Sequence, residues 1–186
     1  MRTGSAIAVA VAIALLLAST VDGGTTRDRP PPAHTGGFGE PTCAQCHFSD
    51  PVNSGGGSLV IDAPASYSAA GRYILTITLI HPGARAGGFE MAARFADGTQ
   101  AGELRSTDTT RTDVTTAGDV QYIHHIYDGT DPVAPDTLRW LVEWTAPERG
   151  GAVMFHAAAN AADGDDSSLG DFIYVTSLQL SPEKQK

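Results

Sequence analysis

The chain has 186 residues, with 21 acidic side chains against 12 lysines and arginines and a formal net charge of -9. Such a surface repels phosphate backbones, and no basic patch offsets it, which excludes a nucleic-acid partner. The length suits one domain with short flanking segments, and 21 glycines with 11 prolines imply many turns.

The N-terminus sets the expected compartment. Met1-Arg2-Thr3-Gly4-Ser5 is a short, positively charged start, and Ala6 through Ala18 is wholly apolar. That run has the length of a signal-peptide core and is shorter than the roughly 20 residues of a membrane span. Small residues follow at Val21-Asp22-Gly23. Residues 1–23 therefore read as a signal peptide, with an uncleaved tether as the alternative, and place the mature chain in the periplasm or outside the cell without an integral membrane span. Removing them takes away Arg2 and Asp22 together, so the charge balance is unchanged. Residues 24–33 are a polar, proline-rich linker in an extended state.

Residues 34–57 hold the chemistry. Cys43-Ala44-Gln45-Cys46-His47 uses both cysteines of the chain, and C-x-x-C-H is the attachment sequence for covalent haem c. Two thiols at this spacing reach the two vinyl groups along one porphyrin edge, and the next residue, His47, offers a nitrogen to the iron. Three other uses of the pair are chemically possible. A thiol-disulfide exchange site needs a helix N-terminus to lower the first thiol's pKa. Here Phe48-Ser49-Asp50-Pro51 and a run of glycines follow, which carry no helix. A zinc site would need two of the other histidines, which lack the usual paired spacing. A disulfide would close so short a loop that it stabilises little.

From residue 58 to 180 the periodicity is that of strands. Expected strands are Ser58–Ile61, Tyr73–Ile80, Phe89–Phe95, Val120–Ile126, Leu138–Trp144, Ala152–Ala159 and Phe172–Leu180. Pro64, His81-Pro82-Gly83, Asp97-Gly98, Asp128-Gly129 and Pro147 punctuate them. Ala157–Ala162 has a helix-like composition, but its aromatic and glycine neighbours argue against a helix. Short strands with turns between them read as an all-β, Ig-like antiparallel β-sandwich. Small helical cytochromes are thereby excluded. Residues 181–186 form a short charged tail.

The string His34-Thr35-Gly36-Gly37-Phe38-Gly39-Glu40-Pro41-Thr42-Cys43-Ala44-Gln45-Cys46-His47 resembles the start of bacterial exported proteins with a reelin-domain-like (reeler, choice-of-anchor type) β-sandwich. Later segments are similar too: Gly71-Arg72-Tyr73, Gly87-Gly88-Phe89-Glu90, Tyr122-Ile123-His124-His125, Trp144-Thr145-Ala146-Pro147, Ala159 to Asp165, and Gly170-Asp171-Phe172-Ile173-Tyr174. The pattern departs at Gly37-Phe38, where the family has Ala-Pro, at Gly71, which lacks a preceding proline, and at Ile126 in place of Thr. The resemblance implies an extracytoplasmic sandwich and leaves the biochemical role open.

His47 is the expected proximal ligand of the iron. The resemblance selects His125 for the distal side, because it falls on the family's recurring histidine. Strand alternation sends His124 the opposite way. His34 is the second distal candidate, in a glycine-rich approach that folds back easily, whereas Met91 and Met154 read as core fillers. Asn160, Asp163, Asp165, Asp166 and Asp171 crowd one loop, and such oxygen donors are a weak signal for Ca²⁺, since the twelfth-position Glu of an EF-hand is missing. The leading expectation is a monohaem c-type protein that transfers electrons to an unidentified redox partner protein, or senses redox state or ligands. The rival is a surface binding or adhesion module whose cysteines form a disulfide or metal site. No hydrolytic motif is present, and an enzymatic use of the haem has no specific signal.

Overall fold

Leu138, Trp140, Val142 and Trp144 are buried while Arg139, Leu141 and Glu143 alternate with them toward solvent, the signature of a strand with one face on a core. The computed structural model describes residues 28–184 of the chain. The expected signal peptide and the start of the linker lie outside the described residues. Ten strands follow in order: β1 (Ser58–Asp62), β2 (Ser66–Tyr67), β3 (Arg72–Ile80), β4 (Ala86–Arg94), β5 (Glu103–Ser106), β6 (Thr112–Ala117), β7 (Val120–His125), β8 (Thr137–Thr145), β9 (Val153–Ala162) and β10 (Phe172–Pro182). They build a four-stranded sheet, β1-β3-β8-β5, and a six-stranded sheet, β2-β10-β9-β4-β7-β6. Every pairing between these strands is antiparallel except β10 with β2, through Ser181 and Pro182. The all-β sandwich is the fold.

The alanine-rich segment is β9, paired residue for residue with β4 and β10. Its small side chains suit a central strand covered on both faces. Phe155, Ala157, Ala159 and Ala161 join the core, where Trp144 meets Phe155 edge-on and Phe89 stacks on Trp140. Both indole N–H groups are satisfied, Trp140 donating to the Gly129 carbonyl and Trp144 to that of Ala101.

β4 is buried along its whole length. Phe89, Met91 and Ala93 face the core, so Met91 is the packing residue the sequence suggests. Glu90 and Arg94 lie on the other face, covered by the segment that leads to the cysteines. The His34 N–H donates to Glu90 Oε2 at 2.6 Å, and Arg94 pairs with Glu40. Phe38 of that segment sits edge-on to His156 of β9. The N-terminal segment is thus a third layer on the six-stranded sheet.

The glycine run after the motif crosses Tyr174 of β10. A Cβ on Gly57 would lie 2.5 Å from the Tyr174 hydroxyl, which accepts the Gly57 N–H at 3.0 Å and donates to the Ser54 carbonyl at 2.6 Å. Only a glycine lets the backbone pass that close.

Candidate functional site

Thr42 caps a 3-10 turn over Cys43–Gln45, its hydroxyl accepting the Ala44 N–H at 3.1 Å. The Cys46 and His47 N–H groups both donate to the Cys43 carbonyl, at 3.1 and 3.0 Å. This tight turn brings Cys43, Cys46 and His47 into the wall of one cavity of about 580 Å³, within the usual range of roughly 300–1,000 Å³ for cofactor sites. Gly87, Gly88 and Phe89 of β4 form part of the remaining wall, with Asn160 and Ala162 of β9, His125 at the end of β7, and Pro30 and Pro31 of the linker. Both cysteines are free thiols, Cys43 half-buried and Cys46 exposed. Burial, followed by the nearby Glu90 carboxyl, pushes the Cys43 thiol up to about 12. A thiol so raised is a poor thiolate, the reverse of what an exchange site needs.

His47 is oriented by a residue 124 positions away. Its Nδ1 lies 2.6 Å from Oδ2 of Asp171, whose side chain is 1% exposed. The Asn160 amide also donates to that oxygen, at 2.9 Å. Two hydrogen-bond acceptors do not approach to 2.6 Å without a proton between them, so a ring proton belongs on Nδ1. Asp171 Oδ1 and Asn160 Oδ1 are buried without a protein partner.

The other histidines separate clearly. His125 lines the cavity, its Nδ1 lying 3.0 Å from the Phe89 N–H donor and 3.2 Å from the Phe89 carbonyl. His34 also lines it, but Nε2 is 2.6 Å from Gln45 Oε1 and Nδ1 is 3.0 Å from the Pro32 carbonyl. His124 is buried away from the cavity lining, held by Thr115 at Nε2 and the His125 carbonyl at Nδ1. His81 bonds the Tyr174 hydroxyl and stacks on Phe172. His124 and His81 play packing roles.

Among the described residues, no three His, Cys, Asp or Glu side chains are grouped to hold a bare metal ion. The acidic loop turns inward on its own backbone: Asp163 accepts the Asp165 N–H and Asp165 that of Ser167. The cavity lining is largely apolar. It holds two thiols that can form thioethers and one pre-oriented imidazole, and a Cβ on Gly88 would fill the space that the His125 ring takes. Asp171, Asn160, Glu90 and Gly88 are the partners that sequence spacing did not single out for this site. Gly170-Asp171, at the opening of the last strand, was the visible trace of one of them.

No protein-family model matches the chain, and no curated protein matches it. Among solved structures it is similar to BslA, a bacterial hydrophobin, at 13% identity over 73% of this chain and 100% of that one, with a TM-score of 0.39. A non-cellulosomal cohesin from the hyperthermophilic archaeon Archaeoglobus fulgidus matches at 8% identity, over 63% of this chain and 90% of that one, with a TM-score of 0.35. Likeness at this level ends at a β-rich fold and says nothing of function. Among the described residues, no helix is long and apolar enough to cross a membrane.

Proposed function

We propose that this protein is an exported monohaem c-type electron-transfer protein on a reelin-domain-like β-sandwich scaffold, working in the periplasm or outside the cell. One observation carries the reading: a single cavity gathers Cys43, Cys46 and His47 of the motif with His125 from the end of β7.

In this reading each thiol adds its S–H across one vinyl group, sulfur to one carbon and hydrogen to the next. Bound iron would supply one-electron chemistry. The protein's own residues do the rest. His47 presents Nε2 from a ring fixed by Asp171, and His125, Phe89, Ala162 and the linker prolines line the same cavity.

The test is the mass and colour of the protein exported with the haem-maturation machinery. A mass increase of one haem that survives denaturant is expected, and it should vanish when Cys43→Ala and Cys46→Ala are combined. A colourless wild-type protein of apoprotein mass would refute the reading and favour a binding or adhesion module.

A further inference from the structure

We propose that Asp171 is the positioning residue of the site: it fixes His47 as the Nδ1–H tautomer and, as a buried negative charge, lowers the reduction potential of an iron held at Nε2. The proposal rests on the haem reading for its second half and on geometry alone for its first.

Asp171 immediately precedes β10 and is 2% exposed, so its carboxylate is cut off from solvent. Among the described residues its partners are the His47 ring at 2.6 Å and the Asn160 amide at 2.9 Å, and both bonds run into Oδ2. Oδ1 accepts nothing from the protein. No lysine or arginine among the described residues forms an ion pair with it. Its only ion-pair partner among the described residues is the His47 ring, and a carboxylate buried this deeply is costly to keep without a compensating positive charge. A positive metal on the far nitrogen of that imidazole would supply such a charge.

The consequence follows from how charge moves through the ring. A carboxylate that pulls on the Nδ1 proton makes Nε2 more basic and more electron-rich. The more basic ligand stabilises ferric iron more than ferrous iron, because the ferric ion carries the larger positive charge. Gain of one electron at the iron, with no bond made or broken, becomes harder. Asn160 works against this effect. Its amide shares the same oxygen and withdraws part of the negative charge from His47.

Two measurements test the two halves. In ¹⁵N-labelled apoprotein the ring nitrogen shifts of His47 should show Nδ1 protonated and Nε2 bare in the wild type, with that preference lost in Asp171→Asn. In the haem-loaded protein, redox titration of Asp171→Asn should raise the midpoint enough to change the ferrous-to-ferric ratio at fixed potential at least tenfold, about 59 mV for one electron. Asn160→Ala should move it the opposite way, and decides the second half if Asp171→Asn does not fold. A wild-type His47 protonated on Nε2 overturns the positioning role. Haem-loaded Asp171→Asn with an unchanged potential, or an upward shift in Asn160→Ala, overturns the tuning role. A wild-type protein without covalent haem refutes the function proposed above, and the apoprotein spectrum still decides the role of Asp171.

Discussion

A Cβ placed on Gly88 would lie 2.2 Å from Cε1 of His125, far inside any contact that packed atoms make. The glycine is needed for the space it leaves, since the ring of one strand rests directly on the backbone of the next. Gly88→Ala should therefore push His125 off Phe89 and cost about 1–3 kcal/mol as an overpacked site. Chemical unfolding measures the cost. In the haem-loaded protein the same variant should perturb the iron's distal side, seen in its visible bands. Unchanged stability together with unchanged spectra would refute this placement of the ring.

Glu90 is wholly buried beneath the segment that leads to the cysteines. Burial pushes its carboxyl up to about 8, helped by Glu40 and opposed by the His34 and Ala33 N–H groups and by Arg94. The folded protein then holds a proton that the unfolded chain releases near its ordinary 4.5. This contribution to stability is fully present below pH 4.5 and is lost as pH rises from there through about 8. Glu90→Gln should leave stability at low pH nearly unchanged and raise it by a few kcal/mol, on the order expected from the shift, in mild alkali. Urea midpoints across that range decide it; equal slopes for variant and wild type would contradict the buried, raised carboxyl.

Glu40 behaves in the opposite sense. Burial raises its carboxyl, but bonds from Thr35, Tyr122 and Arg94 outweigh this and hold it below its ordinary range. Its contribution is present above the ordinary carboxylate range and fades as pH falls through the lowered value. Arg94, buried and placed over the Phe38 and Tyr122 rings, is the partner whose loss strands that charge. Arg94→Ala should cost about 3–5 kcal/mol, and Tyr122→Phe about 1–2 kcal/mol, in unfolding experiments. Both should also lower the yield of covalently attached haem, because they loosen the layer that carries Cys43. Full attachment in a destabilised Arg94→Ala would separate the anchor from the site.

Much of this architecture is legible in the sequence, for a physical reason. Strands such as Tyr73–Ile80 and Leu138–Trp144 bury alternate side chains, so their pattern is written in their own residues. β6 was not anticipated because Val114 is its one aliphatic residue beyond alanine. Its signal was the thr-rich run Thr115-Thr116 before a Gly118-Asp119 turn into β7. β5 is four residues long with a single buried anchor, Leu104, and β2 is shorter still. The motif Cys43 to His47 is contiguous and needs no tertiary knowledge. Asp171, Asn160 and Gly88 reach it only because β4, β9 and β10 are neighbours in one sheet, and spacing along the chain does not reveal that adjacency.

In the proposed haem reading, the histidines of the cavity wall give the last prediction. His125 and His34 both line the cavity, whereas His124 is not among its lining residues. His34 is tied at both ring nitrogens, to Gln45 and to the Pro32 carbonyl, so recruiting it to the iron would break a 2.6 Å bond and unseat the start of the third layer. His125 has its Nδ1 against the Phe89 backbone, an arrangement that orients the ring in the way second-shell bonds orient metal-binding histidines. His125→Ala in the haem-loaded protein is therefore expected to turn a low-spin, six-coordinate ferric iron high-spin and open it to added imidazole or carbon monoxide. His124→Ala should leave the spin state alone and cost stability, because it removes the bond to Thr115 from a buried site. Visible absorption and EPR of the three alanine variants, compared side by side, make the assignment. A His125→Ala protein that stays low-spin while His34→Ala opens the iron would transfer the role to His34. A wild-type iron already five-coordinate would leave His125 to hydrogen-bond a small ligand and would favour gas or peroxide chemistry over electron transfer.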